Sequence, residues 1–597
     1  MRNDLLFIDG ELVDLDDSTK ITLNIKSNLF TDLSKIVSNN SYTIKLPKTV
    51  RNQRVIKHAD LPACSTDYPR KYHSARYIRN GVEIIPNGKA VVLSISEVIE
   101  VALTWGNFVS LSNLIGEGKT LNELFSEDYV QWDSNIAISD YEKNSGVIVS
   151  KINFGFKEEE TAVTYHPSVR ASHIVERIQA GYGLTFRWPE EKRQVISKLI
   201  IPCLYRNGGY ANQQERYCKV DIAGSQDSLL FWNKKEEGSK FGEAFQYNFA
   251  TGSSIIVRSI KVLADGTMVI TPNFKSKNDN LVLLYGESWI DENYQYLPYT
   301  IIDDEYPYHY NIPYEIDIQK GYFFTIGIRQ GWANVNRIES NSVVFSMKPK
   351  EIQIGDKFSI AENLPKIKMI DFIKSLCYIC GLFAIASEEE NQLSFVSIDI
   401  IKNNKSRAKN WTKKVVASYQ DNKPNKMSYI LDNFAQNNRL KWKEDETVVG
   451  LFNGVIVVEN NTLDLEKDTI MMPFAASDTR GGIASVPIYT YDVSGELEYE
   501  TVEPRILLEQ DDNGKSKGVF IGLDWMTLIN QNYQTYQEMV RNPVIITEKI
   551  EISDIDLKEL DVTVPVYLGQ YGRYYALISV KAEDTGVCEC KLLQLEV

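Results

Sequence analysis

Ala171-Ser-His-Ile-Val-Glu-Arg-Ile-Gln-Ala-Gly-Tyr-Gly183-Leu184 and Met369-Ile-Asp-Phe-Ile-Lys-Ser-Leu-Cys-Tyr-Ile-Cys-Gly381-Leu382 lie 198 residues apart and share one pattern. Ala171, Ile174, Val175 and Ile178 fall over Met369, Phe372, Ile373 and Leu376. Both quartets have i, i+3, i+4, i+7 spacing, which predicts a helix burying one apolar stripe. Each helix ends at a glycine, the residue that supplies a left-handed C-cap and turns the chain into a strand. Beyond the glycines, Gln194-Val195 meets Gln392-Leu393, and each pair is expected to open a strand. The reading is a duplicated β-rich module interrupted by an insertion.

A chain of 597 residues exceeds one hydrophobic core, so about three to five domains are expected. Apolar content is 43%, and no apolar run approaches the length of a membrane-spanning helix. Asp4, Asp9, Glu11 and Asp14 interrupt the first residues, unlike the basic start and apolar stretch of a secretory signal, so cytoplasmic synthesis without a signal peptide is expected. The seven cysteines are scattered and odd in number, which forms no disulfide framework. Cys377-Tyr-Ile-Cys380 has the spacing of a metal or redox pair but no second CxxC or nearby histidine, so core packing is expected. Cys588 and Cys590 share one face of a strand.

The first 115 residues read as a small β-barrel or sandwich. Strands are expected at Ile21 to Ile25, Tyr42 to Leu46, Val91 to Ile95 and Val98 to Trp105, with Asn-Gly turns at 80–81 and 87–88. Residues 116–203 connect to the first repeat. Thr120-Leu-Asn-Glu123 reads as a capping box, and Pro167 as part of the first turn of a helix over 168–182. Residues 204–347 differ: they carry turn signals every 8–12 residues, many tyrosines and candidate strands at Ile255 to Leu263, Met268 to Thr271, Leu281 to Tyr285, Phe323 to Ile328 and Val343 to Met347. This predicts an inserted antiparallel β-sandwich. The second repeat spans 348–430, and a C-terminal β-rich module spans 431–597. The fold class is mainly β with a few short helices.

Few residues point to chemistry. Gly116-Glu-Gly-Lys119-Thr120 ends like a phosphate-binding loop, but Asn113 stands where its first glycine is required. The histidines at 58, 73, 166, 173 and 309 form no HExxH, and no Gly-x-Ser-x-Gly elbow is present. No catalytic residue, cofactor or metal site is assigned. The remaining candidate is a cluster of acids and aromatics in the insertion: Asp303-Asp304-Glu305 among Trp289, Tyr294, Tyr296, Tyr299, Tyr306, Tyr308, Tyr310 and Tyr314. Carboxylates accept sugar hydroxyls and aromatic rings stack on sugar faces. Trp289, Tyr294, Tyr296, Asp303, Asp304, Tyr306, Tyr308 and Tyr310 are therefore the candidate contacts with a receptor or partner. Such residues also recur in ordinary cross-strand pairs and solvated turns.

A series of phrases resembles structural tail proteins of phages and prophages of Bacteroidetes-type bacteria: Glu362-Asn-Leu-Pro365, Asp371-Phe-Ile-Lys374, Trp411, Asn433-Phe-Ala-Gln-Asn437 with Leu440-Lys-Trp442, Asn461-Thr-Leu463 and Pro473-Phe-Ala-Ala-Ser477. Phe7-Ile-Asp-Gly10, Tyr42-Thr-Ile-Lys-Leu-Pro47-Lys-Thr49 and Asn52 resemble the start of the same proteins. The resemblance covers both ends and spares about 204–347. It implies a non-enzymatic tail hub or tail-tip protein of the virion, with paired β-barrel domains, forming a homotrimeric pseudo-sixfold ring that contacts other tail proteins and passes DNA. A formal charge of −15 disfavours gripping phosphates, and an acidic wall would let DNA slide. The second reading is a surface adhesin whose 204–347 domain binds host glycans.

Overall fold

The computed structural model describes residues 4–30, 38–106, 118–126, 128–131, 146–155, 163–205, 217–223, 231–233, 245–251, 256–263, 266–277, 279–287, 293–302, 305–328, 338–347, 357–385, 389, 391–416, 424–491, 497–499, 501–512 and 515–595. The protein is mainly β with a few short helices. It divides into two compact units, one of Met1–Leu124, Ile136–Leu204 and Pro365–Val597, the other of Phe125–Asn135 and Tyr205–Leu364.

The first unit is built on a 14-stranded sheet to which both ends of the chain contribute. Strand Leu23–Lys26 pairs antiparallel with Arg573–Ala582, Leu23 opposite Ala582 and Ile25 opposite Val580. Alternation places Leu23, Ile44, Val101, Leu103, Ile546, Ile550 and Val580 in one apolar core, which Leu577 joins across a register shift in its strand. Cys588 and Cys590 join that core side by side on strand Val587–Gln594.

A second sheet of this unit closes. Strands Val147–Asn153, Val163–Arg170, Leu199–Pro202, Leu507–Asp512 and Lys515–Ile521 pair in turn, and the last returns to the first through Lys151 and Val519. Ile148, Ile152, Phe154, Ile200, Leu507 and Phe520 fill this small five-stranded barrel. Closure removes the free edges that an open sheet leaves.

The repeat survives in three dimensions as far as the glycine. The two helices are Ala171–Tyr182 and Met369–Cys380, both preceded by an extended basic residue, Arg170 or Lys368. Both end in glycines at φ +63°, with ψ of 30° at Gly183 and 39° at Gly381. The next strands, Thr185–Arg187 and Leu382–Ile385, then meet in one small sheet, flanking Gln392–Ser397 on either side. The first pairs parallel and the second antiparallel, so the copies are not related by symmetry at this point.

Several local expectations are corrected. Gln194-Val195 opens no strand: it lies in helix Glu190–Lys198, which starts directly after Pro189 with two acids in its first turn. Fixed φ at the proline and acids near the positive helix end both favour that start. Pro167 belongs to strand Val163–Arg170 instead of a helical turn, and the helix begins only at Ala171. Asn80-Gly81 is a tight turn with φ of +49° and +81°. Asn87-Gly88, by contrast, sits inside strand Val82–Ile95, where a Cβ on Gly88 would come within 2.8 Å of Ile85 and 3.2 Å of the Ala75 carbonyl. That glycine answers a close approach, not a turn. At Thr120 the Glu123 carboxylate accepts from the Thr120 backbone N–H at 3.0 Å, half of the capping box, and the turn it opens is a 3-10 helix, Leu121–Phe125.

The second unit holds an antiparallel sandwich. One sheet runs through Phe231–Asn233, Tyr217–Ala223, Ile338–Met347, Gly266–Ser276, Tyr308–Tyr310 and Thr300–Ile301, with Tyr314–Ile318 also on Gly266–Ser276. The other runs through Phe245–Thr251, Ile256–Val262, Phe323–Ile328, Leu281–Gly286 and Asn293–Tyr296. Ile260, Met268, Ile270, Leu283, Phe324, Ile326 and Phe345 form its core.

Candidate functional site

The aromatic cluster of the insertion is divided by the sandwich. Tyr310 is fully buried, stacked on Phe274 at a centroid distance of 5.1 Å, and its hydroxyl accepts from the Leu281 N–H at 3.4 Å. It is a core residue and reaches no surface ligand. Tyr299 bridges Tyr308 and Tyr310 edge-on, at 5.0 and 5.4 Å. Tyr306 lies under the Lys277 ammonium at 4.9 Å, and the same ammonium pairs with Glu305 at 2.9 Å. Tyr294 and Tyr296 stand exposed on the outermost strand of the other sheet, edge to face at 5.9 Å. Trp289, Asp303 and Asp304 lie outside the described residues. The described members thus form a half-buried group around Tyr299 and Tyr308 and a separate exposed pair.

Burial decides the cysteines. Cys377 and Cys380 are on the inner side of the second repeat helix, and desolvation pushes the Cys380 thiol up to about 12 and Cys377 well above its ordinary value. A thiol held protonated is neither nucleophile nor ready ligand. Among the described residues no group of three or more His, Cys, Asp and Glu could hold a metal ion.

A cavity of about 540 Å³ opens beside Cys380, between helices Glu190–Lys198 and Trp525–Asn532 and the barrel strands. Its polar atoms serve the fold. Asn532 donates to the Ile379 carbonyl at 2.9 Å, which caps the second repeat helix, and accepts from the Lys192 ammonium at 2.6 Å. Glu509, also on the wall, takes the Arg170 guanidinium at 2.9 Å in a buried pair. Its residues come from three distant stretches of chain, and no local spacing could announce it.

Several side chains between the strands act as hydrogen-bond staples. Thr49 caps helix Val50–Val55, accepting from the Asn52 N–H. Asn52 is fully buried: its carbonyl accepts from the Asp14 N–H at 2.8 Å, while its amide donates to the Asp14 and Pro47 carbonyls at 2.9 and 2.8 Å. Asn438, next to Asn437, repeats the device, accepting from the Ala435 N–H and donating to the Ala435 and Ile456 carbonyls. Nearby, Arg505 is buried and donates to Asp445 at 2.8 Å and to the Glu503 carbonyl at 2.6 Å. Burial works against the Asp445 charge, but hydrogen bonds from Thr447 and Glu503 and the Arg505 guanidinium together hold its pKa below the ordinary value. These groups fix loops.

No protein-family profile matches the chain, and no curated protein matches it. Among solved structures, it is similar to the crystal structure of the prophage MuSo2 43 kDa tail protein from Shewanella oneidensis, at 7% identity over 100% of this chain and 98% of that one, with a TM-score of 0.32.

Proposed function

We propose that the chain is a non-enzymatic virion structural protein of a phage or prophage of Bacteroidetes-type bacteria, a tail hub or tail-tip ring subunit. In this role it joins the tail tube to the distal tip and lines the DNA exit channel. The observation that carries the reading is the pair of helices, Ala171–Tyr182 and Met369–Cys380, matched in apolar stripe, in the extended basic residue before them and in the left-handed glycine that ends them. A trimer reaches a pseudo-sixfold outline only when each chain supplies two related units. The resemblance of both chain ends to phage tail proteins supports the same role, and the net charge of −15 suits a wall that DNA passes without sticking.

Light scattering followed by negative-stain imaging of the purified protein tests it. Open rings of three copies with a sixfold outline are expected. Particles without a ring, on the assembled tail as well as in solution, would remove the hub reading. A second reading, a glycan-binding adhesin, is favoured only by the exposed Tyr294 and Tyr296 pair. A glycan array separates the two, because a hub subunit leaves it blank and an adhesin loses its signal with Tyr296→Ala.

A further inference from the structure

The cavity beside Cys380 has an apolar floor and a polar mouth. Ile379, Cys380 and Leu528 are buried at its floor, and Val195, Leu508 and Ile521 are only half-buried around its wall. Gln510, Thr527 and Gln531 stand exposed at the mouth. Its volume of about 540 Å³ lies within the roughly 300–1,000 Å³ of small-molecule sites, which are mostly apolar with a few placed polar groups.

The fold neutralises the carboxylates of this cavity but not its lysine. Glu509 takes the Arg170 guanidinium at 2.9 Å, and Asp524 accepts from the Thr527 N–H at 2.7 Å as the N-cap of helix Trp525–Asn532. The Lys192 ammonium instead donates to the Asn532 amide oxygen at 2.6 Å, a neutral acceptor, and pairs with no carboxylate among the described residues. An ammonium carries three donors, so two remain for a further acceptor. Its charge also reaches the floor: burial pushes the Cys380 thiol up, and the Lys192 ammonium draws it part of the way back. Lys192, Val195 and Lys198, three residues apart on one helix, all line the cavity, so its lining carries a second positive charge in a chain of net charge −15.

We propose that this cavity binds a small apolar carboxylic acid, with the carboxylate on the Lys192 ammonium and the hydrocarbon body between Val195, Leu508, Ile521 and Leu528. Each half of the ligand answers a feature of the site. Half-buried apolar side chains gain from being covered, and an ammonium bonds a carboxylate more strongly than a neutral amide. A cationic ligand would meet Lys192 and Lys198 with the same sign, and a plain hydrocarbon would leave the ammonium unanswered. The wall comes from helix Glu190–Lys198, the second repeat helix, helix Trp525–Asn532 and the barrel strands, so a bound acid ties these elements together and raises the melting temperature. The site lies within the first unit, needs no second copy and is independent of the ring reading.

Calorimetric titration of the full chain with octanoate, and with 1-octanol as the uncharged molecule of the same length, tests the site. One octanoate per chain is expected, bound at least about tenfold more tightly than octanol, because a hydrogen bond to a charged group contributes that much. Lys192→Met should bring octanoate down to the level of octanol, and Lys192→Arg should keep the preference. Val195→Trp, which fills the cavity from its half-buried wall, should abolish binding of both. Thermal melts at the wild-type temperature establish that each variant is folded, and if Val195→Trp does not fold, Gln531→Trp at the exposed mouth carries the same test. No saturable octanoate binding, equal affinity for octanoate and octanol, a preference that survives Lys192→Met, or binding unmoved by the tryptophan variants overturns the proposal.

Discussion

At the scale of single residues, Asn52 and Asn438 each tie backbone groups from separate stretches together with one buried side-chain amide. Asn52→Ala leaves the Asp14 N–H and two carbonyls without their side-chain partner inside the protein. A loss of about 2–4 kcal/mol is expected by denaturant unfolding. Two carboxylates give opposite pH signatures. Asp445 has a lowered pKa, so its contribution is complete above the unfolded value of about 3.9 and disappears as pH falls through the folded value. Asp445→Asn should cost about 3–5 kcal/mol at neutral pH, because Arg505 keeps its charge in a buried place, and should flatten the acid limb of the stability profile. Glu548 is buried and its pKa is raised by that burial, against hydrogen bonds from Tyr571 and Asn425. The folded state then binds more protons than the unfolded one above the ordinary carboxylate value, so stability falls as pH rises through that window and levels off above it. Glu548→Gln should remove this decline, read as urea midpoints across pH 4 to 8; a variant profile parallel to the wild type would refute the assignment. Sequence could flag Asn52 only as part of a familiar phrase. Its role depends on Asp14, 38 residues away, which no local pattern links to it.

At the scale of elements, helical periodicity and the terminal glycines are fully legible in the sequence, because both are local. Gly183 and Gly381 share φ +63° but differ in surroundings: a Cβ on Gly183 meets nothing within 4 Å, whereas one on Gly381 would come within 2.7 Å of both Cβ and O of Asn532. Gly183→Ala should therefore cost only the left-handed backbone, about 1–2 kcal/mol. Gly381→Ala adds overpacking against the backbone, about 1–3 kcal/mol more. Equal losses in thermal unfolding would mean that Asn532 moves aside freely. Downstream of Gly183 the chain departs from the expected strand for a physical reason. Gln194-Val195 alternates as well as any strand opening, yet Pro189 and the two acids after it set a helix start, and the start signal outweighs the short apolar match. The candidate aromatic site rests on proximity in sequence, which the sandwich does not preserve. Tyr310 is fully buried in the core with Tyr308 packed against its rim on the same face, while Tyr294 and Tyr296 belong to the other sheet.

At the scale of the molecule, the decisive pairing joins the two ends of the chain. Leu23–Lys26 carries two core residues, Leu23 and Ile25, and on one side its ladder partner is Arg573–Ala582, more than 500 residues later. Sequence can propose both strands but not their pairing, since strand alternation is the same for any partner. The consequence is that Leu6 to Trp105 and Ile546 to Leu592 share one core and should gain or lose protection together. Removing residues 573–597 takes Tyr575, Leu577, Val580, Ala582, Cys588, Cys590 and Leu592 from that core and exposes the edge of Leu23–Lys26. Hydrogen exchange on the truncated chain should then show lost protection at strands Leu5–Ile8 and Val98–Trp105 as well as at Leu23–Lys26, although only the last touches the deleted strands directly. The sandwich core of Ile260, Leu283, Phe324 and Phe345 contains no residue from either chain end, so its protection should stay as it was. Protection retained at Leu5–Ile8 would mean that the N-terminal strands form a core of their own, and the shared core would have to be divided in two.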